Sequence, residues 1–119
     1  TASAVVLFEN FLAAYPLVEA AAVTPNATPA TVPGGGPFAF ANFDTASFVV
    51  SYGGTPVNLV VLIYGSVDGS TFVPLASTGV LSAPIGITIP AVYNFIKLMY
   101  TLGPGPDGTV TVWCQGRIQ

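Results

Sequence analysis

Residues 47–72 read SFVVSYGGTPVNLVVLIYGSVDGSTF, and this stretch decides the fold. Its first six residues alternate, with Phe48, Val50 and Tyr52 on one side of an extended chain and Ser47, Val49 and Ser51 on the other. Successive side chains of a strand point to opposite faces, so the pattern is that of a strand with one covered face. Gly53-Gly54 then marks a turn. Residues 57–64 are apolar on both faces apart from Asn58, which predicts a strand covered on both sides. Asp68-Gly69 predicts a hairpin with a type I′ turn, because both central positions of that turn need positive φ.

Working outward, residues 71–76 form the returning strand, anchored by Phe72. Ile85, Ile87 and Ile89 share one face of a short strand between Pro84 and Pro90. Residues 94–101 and 109–118 are expected to pair with each other across GPGPDG, a Gly/Pro turn cluster. In the last strand Val110, Val112, Cys114 and Ile118 share a face, and Thr109, Thr111, Trp113, Gln115 and Arg117 share the other. Pro56, Pro74, Pro84 and Pro90 fall at strand ends or edges, where a missing N–H is tolerated. Six or more short, regularly spaced strands predict an all-β chain, an antiparallel β-sandwich or jelly roll.

The chain divides by composition into an N-terminal arm and Pro/Gly-rich linker, 1–37, and a sandwich domain, 38–119. Val5, Phe8, Phe11, Leu12 and Tyr15 recur at three- and four-residue steps, which suits a short amphipathic helix ended by Pro16. AVVLF in the same segment also reads as an edge strand. Residues 24–37, TPNATPATVPGGGP, read as an extended or polyproline-like connector. It is either a flexible linker or an arm laid along a neighbouring subunit.

Charge is scarce: two basic and five acidic residues, no histidine, 6% of the chain against about a quarter in an ordinary domain. With 52% hydrophobic residues, the chain must be covered either by membrane or by other protein. The net charge of −3 comes with one lysine and one arginine, too little basic charge for nucleic acid or an anionic membrane surface. A membrane-spanning helix needs about 20 apolar residues. The longest candidate, residues 4–23, is broken by Glu9, Asn10, Pro16 and Glu19. The first six residues carry no positive charge, hence no signal-peptide n-region.

The stock of catalytic groups is small. Without histidine there is no Ser-His-Asp or Cys-His pair, and Cys114 as the sole thiol excludes a zinc site by ligand count. No cofactor and no metal is expected. Asp44, Asp68 and Asp107 are candidates for a glycosidase-like pair, but Asp68 and Asp107 each precede a glycine and read as turn residues. Asp68 with Ser66 or Ser70 is a thin set of oxygens for calcium. Gly34–Gly36 lack the Lys-Ser/Thr of a phosphate loop, and Asn26-Ala27-Thr28 matches a glycosylation sequon. Cys114 reads as a small buried hydrophobe. Trp113 lies among Thr, Gln and Arg, which fits a carbohydrate platform or, more in keeping with the low charge, a subunit interface.

Residues 47–116 resemble small β-domains of tailed-phage structural proteins: capsid decoration (cement) proteins and head or tail fibres. The resemblance rests on FVVSYGGTPVNLVVLIYGSVDGSTFVPLAST, then FIKLMY and TVTVWCQGRI, above all on residues 65–72, GSVDGSTF. It implies a non-enzymatic virion protein on the capsid exterior, a homo-oligomer (trimer or dimer) docked on the major capsid protein. It implies no catalytic residue. The expected subunit or shell contacts are Phe8, Phe11, Leu12, Tyr15, Val60, Leu62, Tyr64 and Trp113. A carbohydrate-binding module and a pilus or surface-layer subunit completed by strand addition are the alternatives.

Overall fold

A computed structural model describes residues 14–40, 43–89 and 93–117. Among them are nine strands and no helix: β1 (Tyr15–Val23), β2 (Asn26–Thr31), β3 (Phe38–Ala39), β4 (Thr45–Gly54), β5 (Val60–Ser66), β6 (Val73–Val80), β7 (Ile85–Ile89), β8 (Phe95–Leu102) and β9 (Gly108–Arg117). They form two antiparallel sheets, β1-β9-β4-β7 and β2-β8-β5-β6, with β3 added to β8. The chain is an antiparallel β-sandwich, as its alternation predicts.

The pairing is nested. First-half strands pair with second-half strands in reverse order: β1 with β9, β2 with β8, β4 with β7 and β5 with β6. The chain is thus one long hairpin, folded over and closed by β9–β4 and β8–β5 pairing. The Asp68-Gly69 turn is its tip. Only β5 and β6 are neighbours both in sequence and in a sheet.

Two local expectations change. The 94–101 and 109–118 strands do not pair with each other: β8 and β9 lie in different sheets, so GPGPDG carries the chain across the sandwich. A turn cluster specifies reversal but not the sheet in which the next strand lands. The β5–β6 turn is also not a two-residue type I′ turn. Six residues separate the strands, and of Asp68 and Gly69 only the glycine has positive φ (81°).

The described residues before 38 take part in both sheets. β1 is an edge strand on β9, and β2 an edge strand on β8. The Gly loop stays on β8: the amide of Val32 donates to Leu98 O and that of Leu98 to Gly35 O. The Tyr100 hydroxyl donates to Thr24 O at 3.3 Å and ties down the corner between β1 and β2. The described part of 1–37 therefore docks on its own domain. Its prolines fit an edge strand, whose outward amides have no ladder to join. Pro16 lies within β1; the helix expected before it, with Phe8, Phe11 and Leu12, lies outside the described residues.

The core lies between the sheets. Phe48, Val50, Val110, Val112 and Cys114 face Val61, Ile63, Ile96, Leu98 and Leu102, all buried. Phe40, Phe43 and Phe48 cluster at one end, with ring centroids 5.7 Å and 6.0 Å from Phe40. Phe43 lies against Gly116, where no side chain intervenes.

Candidate functional site

Among the described expected contacts, Val60, Leu62 and Tyr64 lie on one outer surface and Trp113 on the opposite one. Val60, Leu62 and Tyr64 alternate with buried Val61 and Ile63, so they stand on the outer face of the five-stranded sheet, half-buried. The register sets Leu62 beside Met99 and Ser77, Val60 beside Thr101 and Val80, and Tyr64 beside Lys97 and Pro74. An antiparallel sheet with one solvated face usually alternates apolar and polar residues. Here the outward row of β5 is apolar, and Lys97 is the one charged residue on β2, β3, β5, β6 and β8. Its ammonium lies 4.5 Å from the centroid of the Phe72 ring, a cation–π contact. Met99 and Val80, 60% exposed, extend the patch. Sequence reasoning passed over Met99, although its alternation with Leu98 and Tyr100 carries the signal.

Trp113 stands on the outer face of the other sheet and is 43% exposed. Its register partners are Val49 on β4 and Pro16 on β1. Val49 is 52% exposed and was missed because its serine neighbours made that face of β4 read as polar. The adjoining rows carry Ser47 and Gln115 on one side, Ser51 and Thr111 on the other. Tyr15, half-buried at the start of β1, packs against the core beside Cys114 rather than joining the Trp113 surface. Burial pushes the Cys114 thiol up to about 12, so it stays protonated and unreactive.

Asp44 and Asp107, two of the three candidate carboxylates, are held far apart. β4 and β9 are paired along their full length, from Thr45 opposite Arg117 to Gly54 opposite Gly108. Asp44 precedes the first pair and Asp107 the last, which sets them about 30 Å apart along the strands. Asp68 is committed to its own turn. Its Oδ1 accepts hydrogen bonds from Ser66 Oγ (2.8 Å) and from the amides of Ser70 (2.9 Å) and Thr71 (3.0 Å). Those bonds, from Thr71 and Ser70 first and then Ser66, hold its pKa at about 2. An oxygen so occupied by donors is poorly placed for calcium. Among the described residues no group of three or more His, Cys, Asp or Glu could hold a metal ion.

The sequon is an Asx turn within β2: Asn26 Oδ1 accepts from the amide and the hydroxyl of Thr28, both at 3.3 Å. A shallow cleft of about 410 Å³ lies between Asn26, Asn58, Leu102 and Pro104; among the described residues no ionisable group lines it. No described helix is long and apolar enough to cross a membrane. No protein-family model matches the chain, and comparison with curated proteins finds no significant match.

Proposed function

We propose that this chain is a structural virion protein, a homo-oligomeric (dimeric or trimeric) domain that decorates a phage capsid on its exterior and stabilises the shell by apolar contact. The observation that carries the reading is the outer face of the five-stranded sheet. Val60, Leu62, Tyr64 and Met99 form a half-buried apolar row, relieved by one charge, Lys97. Burying such a face contributes about 25 cal/mol per Å² before the costs of association. Repeated over many copies on a lattice, modest contacts add up. The nested strand order supports the reading, since it is compatible with the winding of a jelly roll, an architecture common in viral capsids and lectins. That support is fold-level analogy.

The test is mass spectrometry of particles purified from the source of the gene, with immunogold labelling of intact heads. The expected result is many copies per particle and label on the outer surface. Absence from purified particles, or label only after disruption, overturns the proposal. Sedimentation equilibrium adds a second measurement: wild type is expected as dimer or trimer, and the Leu62→Lys, Tyr64→Lys double variant as folded monomer.

A further inference from the structure

The second surface has a different chemistry. Across the four-stranded sheet one row runs Pro16, Trp113, Val49, Gly86. Gly86 has no side chain, and a Cβ added there would meet only the Phe48 carbonyl oxygen, at 3.8 Å. The row is therefore open to solvent on the β7 side. On one flank the next row carries Gln115, Ser47 and Thr88, with the two hydroxyls 3.2 Å apart. On the other flank lie Thr111 and Ser51. A shallow depression of about 130 Å³ sits against the indole, with Ser47, Val49 and Gln115 in its wall. In the four strands of this sheet only Glu19 and Arg117 are charged: Glu19 falls at the β1 register slip opposite Thr111, and Arg117 lies one row beyond Gln115 on the same face.

We infer that this surface is a binding platform for a neutral pyranose of a polysaccharide, with the ring stacked on Trp113. This goes beyond the assembly proposal and does not depend on it. A pyranose has an apolar C–H face about as wide as an indole and a rim of hydroxyls that both donate and accept. The protein offers the complement: one flat ring and one isopropyl group, bordered by hydroxyls and an amide with the same dual capacity. A protein partner asks for something else. A stable contact buries roughly 800 Å² per side around an apolar centre depleted of such groups, and the apolar part here is only Trp113, Val49 and the half-buried ring of Pro16. The central row and the Gln115–Ser47–Thr88 row carry no charge, and the sheet's two charged side chains, Glu19 and Arg117, are of opposite sign, so the platform offers no net charge to hold a uronic acid or sialylated sugar.

The chain has one tryptophan, so its fluorescence reports directly on the platform. The full chain is titrated with cellohexaose, chitohexaose and mannohexaose, and run in native gels containing hydroxyethylcellulose, galactomannan or dextran. The expected result is a saturable blue shift with at least one oligosaccharide and retardation in the matching gel. Trp113→Ala is expected to abolish the retardation. Val49→Lys, which keeps the fluorophore, is expected to weaken the titration at least tenfold. Both positions are exposed, and far-UV circular dichroism checks that both variants keep the wild-type spectrum. Three results overturn the inference: no shift and no retardation with any of these sugars, retardation that survives Trp113→Ala, or a shift that follows protein concentration and not sugar. The last assigns the surface to contact between copies.

Discussion

Ser66 and Asp68 organise the turn between β5 and β6 through their side chains. The Ser66 hydroxyl donates to Asp68 Oδ1 and accepts from the amides of Asp68 (3.3 Å) and Gly69 (2.9 Å). Four amides of one turn thus reach two side-chain oxygens. The bonds to the carboxylate favour its ionised form, which lowers its folded pKa from 3.8 to about 2. A depressed carboxylate pKa contributes stability that is complete above the unfolded value and lost as pH falls through the folded one. Thermal melts are therefore expected to show the wild-type midpoint falling between pH 4 and pH 2, with Asp68→Ala a few degrees lower at pH 7 and flatter across that window. Equal acid slopes for the two proteins would remove the turn from the account. Gly116 poses a steric question instead. An added methyl would enter the Phe43 ring, which is 4% exposed and walled by the core. Gly116→Ala is expected to cost about 1–3 kcal/mol in denaturant unfolding.

β1 shows how an edge strand solves its own fit. Its register on β9 slips between Pro16 and Val18 and again between Val18 and Ala21. Ala20 takes up the slack with φ of 48°, and its amide, turned away from the ladder, donates to Thr111 Oγ1 at 2.9 Å. Left-handed backbone costs an L-residue about 1–2 kcal/mol. Ala20→Gly is thus expected to be neutral or stabilising by up to about 1 kcal/mol, although glycine normally weakens a strand. Thr111→Val removes the acceptor and is expected to cost about 1 kcal/mol. Urea unfolding measures both, and a clear loss with Ala20→Gly would contradict the strain argument. The same strand marks the limit of reading structure from sequence. β4, β5 and β9 were legible because period-2 alternation of bulky residues reports burial directly. So was the outer row Val60, Leu62 and Tyr64, since apolar residues on both faces imply two covers. β1 and β2 were not. Their Ala, Thr and Pro carry little alternation, and a bulged edge scrambles what remains. Strand pairing was legible only at the tip, where the turn residues themselves join the partners. Elsewhere the pairing depends on which sheet each crossover reaches, and no local residue encodes that. Trp113 was visible as an outward residue, but its pairing with Val49 needed the register.

The nested pairing governs the whole molecule, because it joins the first described strand, β1, to the last, β9. Residues 1–37 include β1 and β2, which form one edge of each sheet. A 38–119 fragment would uncover one edge of β9 and most of the β2 side of β8, and would remove the buried side chains of Val23 and Val32 from the core. It is expected to lack a cooperative unfolding transition, whereas a 14–119 chain is expected to keep one; calorimetry distinguishes them. Nesting also sets an order of assembly. Closing a loop costs entropy that grows with its length, and β5–β6 closes the shortest loop, with six residues between the strands. β1–β9 pairing joins residues as distant as Tyr15 and Cys114, 99 positions apart. Folding from the tip inward pays the smallest closure cost at every step, since each formed pair shortens the loop to be closed by the next. Ser66→Ala, which removes a buried hydroxyl from the tip, is expected to cost about 1–2 kcal/mol and to slow folding by nearly the full amount. Thr111→Val, at the outermost pair, is expected to leave the folding rate unchanged and speed unfolding instead. In stopped-flow chevrons this gives a φ-value near 1 for the first and near 0 for the second. The reverse assignment would mean that the chain ends meet before the tip forms, and the nested hairpin would then describe the product and not its route.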